Sequence, residues 1–431
     1  MGRTQKCVPL SRYGGKMDKK DIVANMTQNY LDNCQNDPDL RLKSSAFTRK
    51  RKLTAKRMLL ILLQRLVCSL QLGMDRFFEH IEEESVSKQA FSKARANLNP
   101  KYVRKFADGI AEIHAQDPDA PTYCGMRLIA IDGTDIALEN SAELKKAFGC
   151  SGSKRDAATA FGSMAFGPLD HAIYDCQIAP YATDERELAK LHMARLQELG
   201  LANSLLLFDR WYLSAAFLND TRKAGFSFVM RVREKWNLQA DAIKNEGWIR
   251  LSHEDEEFSV RVLKVPLSSG EIETLVTNLD EKQLPLSQAA ELYFKRWAIE
   301  TAFDTLKSKL QLENFSGKSE VSVRQDFFAT IYIAGFAMIC AADATKQIQD
   351  NDQGKNLKYE RKANMNRTIA CLRNRFFLIL LEQDPVLRHA LFDRLSRDIA
   401  AYPVPIRPHR SPARNNPRSK RFFIAKKSVL P

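Results

Sequence analysis

Leu128-Ile129-Ala130-Ile131-Asp132-Gly133-Thr134 sets a short apolar, partly β-branched run directly before an aspartate. A second stretch, Leu205-Leu206-Leu207-Phe208-Asp209-Arg210-Trp211-Tyr212, repeats that arrangement. Both read as buried strands with an acid at the carboxyl end. Ligands collect at the carboxyl ends of strands in open α/β sheets. A single strand-end aspartate is often only a turn former or a helix cap. Two of them predict an α/β core with a shared acidic site.

The stretch from Tyr293 to Lys307 supplies a third acid. At about 100° per residue from Tyr293, Arg296 falls near ~300°, Glu300 near ~340° and Lys307 near ~320°. A polar stripe thus borders an apolar face made by Leu292, Ile299, Phe303, Leu306 and Leu310. A solvated i,i+4 charge lattice would explain a lone Arg-Glu pair. It does not explain why the stripe lies along the core, or why a tyrosine joins it. Asp304 falls near ~20° on the same wheel, at the outer edge of the stripe, so Glu300 is the better-anchored acid. Three acids brought together need cations, and two divalent ions about 4 Å apart suit in-line attack on phosphate.

These residues resemble a known family. The Tyr-x2-Arg-x3-Glu-x6-Lys pattern of Tyr293, Arg296, Glu300 and Lys307 looks like the signature of DDE transposases of bacterial insertion-sequence family 4. Ile131-Asp132-Gly133-Thr134 resembles that family's first-aspartate motif, and Phe208-Asp209-Arg210 the second. Ser87 to Ser92 with Arg95 is similar to its amino-terminal helical region, and Tyr181 to Leu188, with Glu185 and Glu187, to the stretch between the first two acids. The likeness runs from about residue 45 to 340. One departure is Trp211, where the family has a small Gly and where a bulky side chain would reshape the groove.

The resemblance implies a ribonuclease-H-like catalytic core with a β-rich insertion, preceded by an α-helical DNA-binding domain. It implies Asp132, Asp209 and Glu300 as catalytic residues and ligands of two Mg²⁺ ions, with Mn²⁺ able to substitute. Tyr293, Arg296 and Lys307 would hold DNA phosphates near the cut. Some relatives with this signature pass through a hairpin intermediate, which makes Trp297 a candidate for stacking a displaced base. The implied function is cut-and-paste DNA transposition. The partners are double-stranded DNA, both terminal inverted repeats and target, and a second copy of the chain in the DNA complex.

Charge distribution agrees. The chain of 431 residues carries +14. Residues 1–120 hold +8, residues 401–431 hold +8 with no acid, and the segment between them −2. Basic arms therefore flank a near-neutral body that contains the acids, as suits an enzyme whose polyanionic substrate is held by its ends. The eight cysteines occur singly, without Cys-x2-Cys pairs, and the histidines are scattered, which argues against zinc. No signal-peptide pattern is evident, and the apolar run Phe327 to Ala342 is short for a bilayer span. It reads as a buried helix behind the sheet. The expectation is a cytoplasmic, nucleoid-associated bacterial protein with no membrane role.

Four regions follow. Residues 1–44 read as a mobile polar arm. Residues 45–120 read as a helical DNA-binding domain, with helices near 53–72, 75–83 and 88–98. The last of these places Phe91, Ala94 and Leu98 inward and Lys88, Ser92 and Arg95 outward, the outline of a helix-turn-helix. Gln116 to Pro121 marks a boundary. Residues 121–350 hold the catalytic domain, with strands near 157–166, 171–178 and 226–232, helices near 184–199 and 214–223, and a β-rich insertion at about 234–284. Residues 351–431 hold a helical region and a basic tail whose Arg407, Arg410 and Arg414, spaced by Pro and Asn, predict a phosphate-binding arm. Two other classes share some of these features. A ribonuclease-H-like metal-dependent nuclease would need no specific ends, and a non-catalytic transposase-derived DNA-binding protein would have lost one of the acids.

Overall fold

A computed structural model describes residues 18–49, 51–65, 68–152, 156–233, 235–267 and 270–407. Helices α1 (Lys19–Asn33), α2 (Ala55–Gln64), α3 (Leu70–His80), α4 (Lys88–Arg95) and α5 (Pro100–Ala115) lead into β1 (Arg127–Ala137). Helix α6 (Ala142–Phe148), β2 (Cys150–Ser151), β3 (Ala157–Phe166) and β4 (Ile173–Pro180) follow, then α7 (Glu185–Glu198), β5 (Ser204–Phe208), α8 (Ala215–Lys223) and β6 (Ser227–Arg231). The chain continues through α9 (Leu238–Ala242), β7 (Glu246–His253), β8 (Glu256–Pro266), β9 (Ile272–Thr277), α10 (Leu286–Phe294) and α11 (Trp297–Asp304). Last come α12 (Glu320–Asp352), β10 (Arg361–Lys362), α13 (Met365–Leu381), α14 (Pro385–Ala400) and β11 (Val404–Pro405).

The central sheet is mixed. Its strands run β4-β3-β1-β5-β6-β9-β8-β7, with β2 pairing β3 as well. Strands β1, β3 and β4 are antiparallel neighbours, while β5 and β6 run parallel to β1. The β-rich stretch expected as an insertion extends this sheet, because β9 pairs antiparallel with β6.

Period-two alternation divides the sheet's side chains between two faces. Ile129, Ile131, Leu206 and Phe208 face α7 and α8 through Ala189, Met193, Leu196, Phe217 and Leu218. Leu128, Ala130, Leu205 and Leu207 belong to the opposite core, with Leu292 and Ile299 of α10 and α11 and the length of α12. Helix α12 is the one described helix long and apolar enough to cross a bilayer, but 89% of its apolar window is buried inside the protein. It starts with a capping box in which Ser319 and Ser322 satisfy each other's backbone amides.

Packing crosses the expected regional boundaries. The core that holds α12 also takes in Val23 and Leu31 of α1, residues of α2, α3 and α5, and Phe392 and Ile399 of α14. The amino-terminal helices, the carboxyl-terminal helices and one sheet face thus share one apolar interior. Within the segment expected as a mobile arm, residues 19–33 form α1, whose Thr27 hydroxyl lies 2.9 Å from the Tyr332 hydroxyl. The single helix expected over 53–72 is two, broken where Arg65 adopts left-handed φ of 51°. The tail beyond residue 407, including Arg410 and Arg414, lies outside the described residues.

Candidate active site

Strand β1 does not stop at Asp132 as expected but runs on to Ala137, paired with β3 alone after Ala130. The acid therefore sits where the parallel pairing with β5 gives out, which is the position that matters. Ala130 pairs with Leu207, and each is followed two residues later by an aspartate, Asp132 and Asp209. Register and alternation thus place the two carboxylates side by side on the face that meets α11. Next to Asp132, Gly133 allows the closest approach in the sheet: a Cβ there would lie 2.1 Å from the Phe161 ring.

Glu300 comes from the facing helices, and here the uniform helical wheel fails. Helix α10 ends at Phe294, Lys295 and Arg296 form a turn, and α11 restarts at Trp297. A π-helical turn at Thr305–Lys309 then shifts Lys307. Arg296 is buried. Its Nη1 donates to Asp132 Oδ2 at 3.0 Å and its Nη2 to Glu300 Oε1 at 2.9 Å. One guanidinium fork therefore stitches sheet acid to helix acid. Its Nε is buried and has no partner among the described residues.

The other residues of the stripe brace this pair. Tyr293 is buried, and its hydroxyl donates to the Phe208 carbonyl at 3.1 Å, fixing α10 to the end of β5. Lys307 Nζ donates to the Asp135 carbonyl at 2.5 Å, on the same strand as Asp132. In this arrangement Tyr293, Arg296 and Lys307 hold protein atoms. Trp297 is 43% exposed, with the Arg296 guanidinium 6.0 Å from its ring.

Burial pushes the Asp132 carboxyl up to about 6, and the neighbouring Asp209 and Glu300 add to the rise against the opposing pull of Arg296 and the Gly133 amide. Arg296 holds its proton more firmly than usual: burial works against its charge, but Tyr293, Asp132, Asp209 and Glu300 outweigh that cost. A raised acid pKa means that the folded chain binds more protons than the unfolded one between about pH 4 and 6. Without added metal, Asp132→Asn should therefore melt above wild type at neutral pH. The gap should close as pH falls through 6, where Asp132 takes up its own proton. Calorimetry of both proteins across that window checks the sign; a gap that widens on acidification would contradict it.

Glu185 also belongs to this neighbourhood. Asp184 is the true cap of α7, accepting from the Arg186 amide at 2.9 Å. Burial raises the Glu185 carboxyl, and Asp132 and Asp209 are close enough to raise it further. The acidic first turn reads as a capping signal in the sequence, so only the family likeness of Tyr181 to Leu188 pointed to this proximity, and residue patterning did not. A buried chain behind Asp132 was equally illegible. Arg104 bonds Asp175 at 2.6 Å, Asp175 meets His192 Nδ1 at 2.7 Å, and His192 Nε2 lies 2.9 Å from Ser163 Oγ. Ser163 Oγ also donates to the Asp132 carbonyl at 3.3 Å. With His192 sealed from solvent, this chain supports the sheet and is not a nucleophile.

Among the described residues no cluster of three acidic, histidine or cysteine groups stands at metal-binding spacing. Arg296 occupies the place between Asp132 and Glu300 instead. The candidate DNA-binding residues divide. Lys88 and Ser92 are exposed on α4, whereas Arg95 is only 4% exposed and its guanidinium is committed to Gln325, Ser316, Ser322 and Asp326. Its assignment to an outward DNA-reading face is corrected by that burial. Arg407 is exposed at the end of the described chain.

Residues 123–334, which include all three acids, match the family described as Transposase DDE domain. The chain is 23% identical over 262 residues to the transposase InsG for insertion sequence element IS4 of Escherichia coli (strain K12), covering 54% of this chain and 56% of that one. It is 25% identical over 225 residues to the protein y4zB of Sinorhizobium fredii (strain NBRC 101917 / NGR234), covering 48% and 54%. The chain thus spans about half the length of the curated relatives it matches. Among solved structures, a piggyBac transposase synaptic complex with hairpin DNA aligns over 89% of this chain and 83% of its own, at 11% identity and a TM-score of 0.42. Residues 123–334 are thus a Transposase DDE domain, and over about half its length the chain is similar to the transposase of insertion sequence element IS4.

Proposed function

We propose that this protein is a transposase that catalyses cut-and-paste transposition of an insertion sequence, cleaving transposon ends and joining them to target DNA. The observation that carries this reading is the in-register pair Asp132 and Asp209, with Glu300 tied to Asp132 through Arg296. The strand order, three antiparallel strands and then two parallel ones, supports a ribonuclease-H-like core.

The donor set suits hard divalent cations, being carboxylate oxygen throughout. Burial is the main reason the Asp132 pKa is raised, and the smaller repulsion from Asp209 and Glu300 that adds to it is what a cation would relieve. Asp132, Asp209 and Glu300 would hold two Mg²⁺ ions, or Mn²⁺ in their place. When bound, these would activate the attacking oxygen and stabilise the leaving one. Arg296, with an unspent buried Nε, would turn its fork from the carboxylates to a phosphate, a role its planar donors suit. Tyr293 and Lys307 would keep α10 and the π-turn fixed against β5 and β1 while that happens. Exposed Lys88 and Ser92 of α4 would meet DNA, two copies of the chain would pair the ends, and the protein would work on the nucleoid in the cytoplasm.

Purified protein with Mg²⁺ and a DNA fragment carrying the gene's own flanks should give cuts at a fixed pair of inverted repeats. Cutting without regard to sequence would favour the simple nuclease; binding without cutting would favour a non-catalytic derivative. Neutralising Arg407, Arg410, Arg414 and Arg418 should weaken DNA binding and reduce its salt slope by roughly one unit per lost phosphate contact. An unchanged slope in a salt titration would remove the tail from the interface.

A further inference from the structure

Three large exposed apolar side chains lie within a few positions of residues of the acidic site. Trp211 is 61% exposed, Phe294 70% and Trp297 43%. Trp211 stands two residues after Asp209, Phe294 follows the tyrosine that fixes the end of β5, and Trp297 follows Arg296. Scattered apolar residues on a surface need no explanation, but an exposed indole ordered by a cation beside a catalytic acid does.

Trp211 is held, not loose. It lies in a tight turn at Arg210–Tyr212 whose next residue, Tyr212, is fully buried against Phe208 and Phe217. The Arg233 guanidinium, two residues past the end of β6, sits 4.1 Å from the Trp211 ring centroid. Contact at that distance orders the indole and raises the positive potential around it. At 61% exposure, much of the ring still faces solvent. Arg210 and Arg233 are themselves exposed, and neither is ion-paired with a carboxylate among the described residues. A flat apolar ring backed by one exposed cation complements a flat base carried on a phosphate backbone.

We propose that Trp211 and Arg233 form a stacking site for one unpaired nucleobase of a DNA strand, at the Asp209 side of the acidic site. Its location is meaningful through the transposase reading, but binding is measured without cleavage, so the two can fail separately. The site would add a contact for an unpaired position beside the acids that a continuous duplex does not offer.

The test uses the full chain, without divalent metal, and two fluorescent probes: a thymidine oligonucleotide of about twelve nucleotides, within the usual single-strand site size, and a blunt duplex. By anisotropy, Trp211→Ala should weaken single-strand binding roughly ten-fold and leave duplex binding within about two-fold, from the usual cost of losing one base–aromatic stack. Trp211→Phe should retain most of the affinity, and Arg233→Lys, which keeps charge but not the planar group, should lose part of it. With an oligonucleotide of abasic sites, wild type and Trp211→Ala should bind alike. Equal losses for single strand and duplex, no loss in Trp211→Ala, or a difference that survives in the abasic probe would each overturn the proposal. A wild-type chain that cuts nothing with Mg²⁺ yet passes these comparisons would refute the catalytic reading alone.

Discussion

Glu300→Gln is expected to lose Mg²⁺-dependent cleavage by roughly 10³-fold or more, the scale on which groups acting as one catalytic unit fail, while DNA binding persists. The amide keeps the shape of the carboxylate and can still accept from Arg296 Nη2, which now donates to Glu300 Oε1 at 2.9 Å. What it loses is charge, and a neutral amide is a poor ligand for a hard cation. Asp132→Asn and Asp209→Asn should behave alike, for both belong to the same in-register pair. Asp304 is the internal control. It lies four residues after Glu300 at the end of α11, is exposed, and accepts from Ser308 Oγ at 2.7 Å. Asp304→Asn should leave most cleavage intact. Labelled transposon ends, incubated with Mg²⁺ or Mn²⁺ and resolved on a denaturing gel, measure all four variants. Full activity in Glu300→Gln together with loss in Asp304→Asn would reverse the assignment.

The sheet at the heart of this site could be read from the sequence because its signals are local. Ala157–Phe166 was expected as a strand over those same residues, and the apolar runs before Asp132 and Asp209 fell in β1 and β5. Period-two patterning needs only neighbours along the chain. Helix α5 carried a legible signal that the reading passed over, an Asn99 cap followed by Pro100 at the first helical position. The wheel drawn from Tyr293 to Lys307 failed for another reason. It assumes constant rotation, whereas the chain turns at Lys295–Arg296 and widens into a π-turn at Thr305–Lys309. Arg296 itself reaches Asp132, a partner 164 positions away. Nothing in the local pattern encodes a partner at that distance.

Arg95 shows the same limit with a larger consequence, and Arg95→Ala is expected to cost about 3–5 kcal/mol of stability, as removing one member of a buried ion pair does. On a helical wheel Arg95 joins Lys88 and Ser92 as an outward basic face. In the folded chain it enters the core beside α12, where its Nη2 lies 2.7 Å from Asp326 Oδ1, with both side chains almost fully buried. Its Nε donates to Gln325 Oε1 at 2.7 Å, and Gln325 in turn donates to the Leu98 carbonyl at 2.6 Å. Burial alone would raise the Asp326 carboxyl, but Arg95 and Arg65 outweigh it and hold it below the usual range. Truncating Arg95 thus strands a charged carboxylate in the interior. Arg95→Lys should recover little, because one ammonium cannot reproduce a fork that serves four acceptors. Lys88→Ala and Ser92→Ala, both exposed, should stay within about 0.5 kcal/mol of wild type. Adding Asp326→Ala to Arg95→Ala should cost less than the two single changes combined, since it removes the stranded charge. Denaturant unfolding of these variants, beside their binding to transposon ends, separates a core role from a DNA-reading one. If Arg95→Ala unfolds like wild type but loses discrimination between end and random DNA, then Arg95 reads DNA and the buried network is wrongly placed.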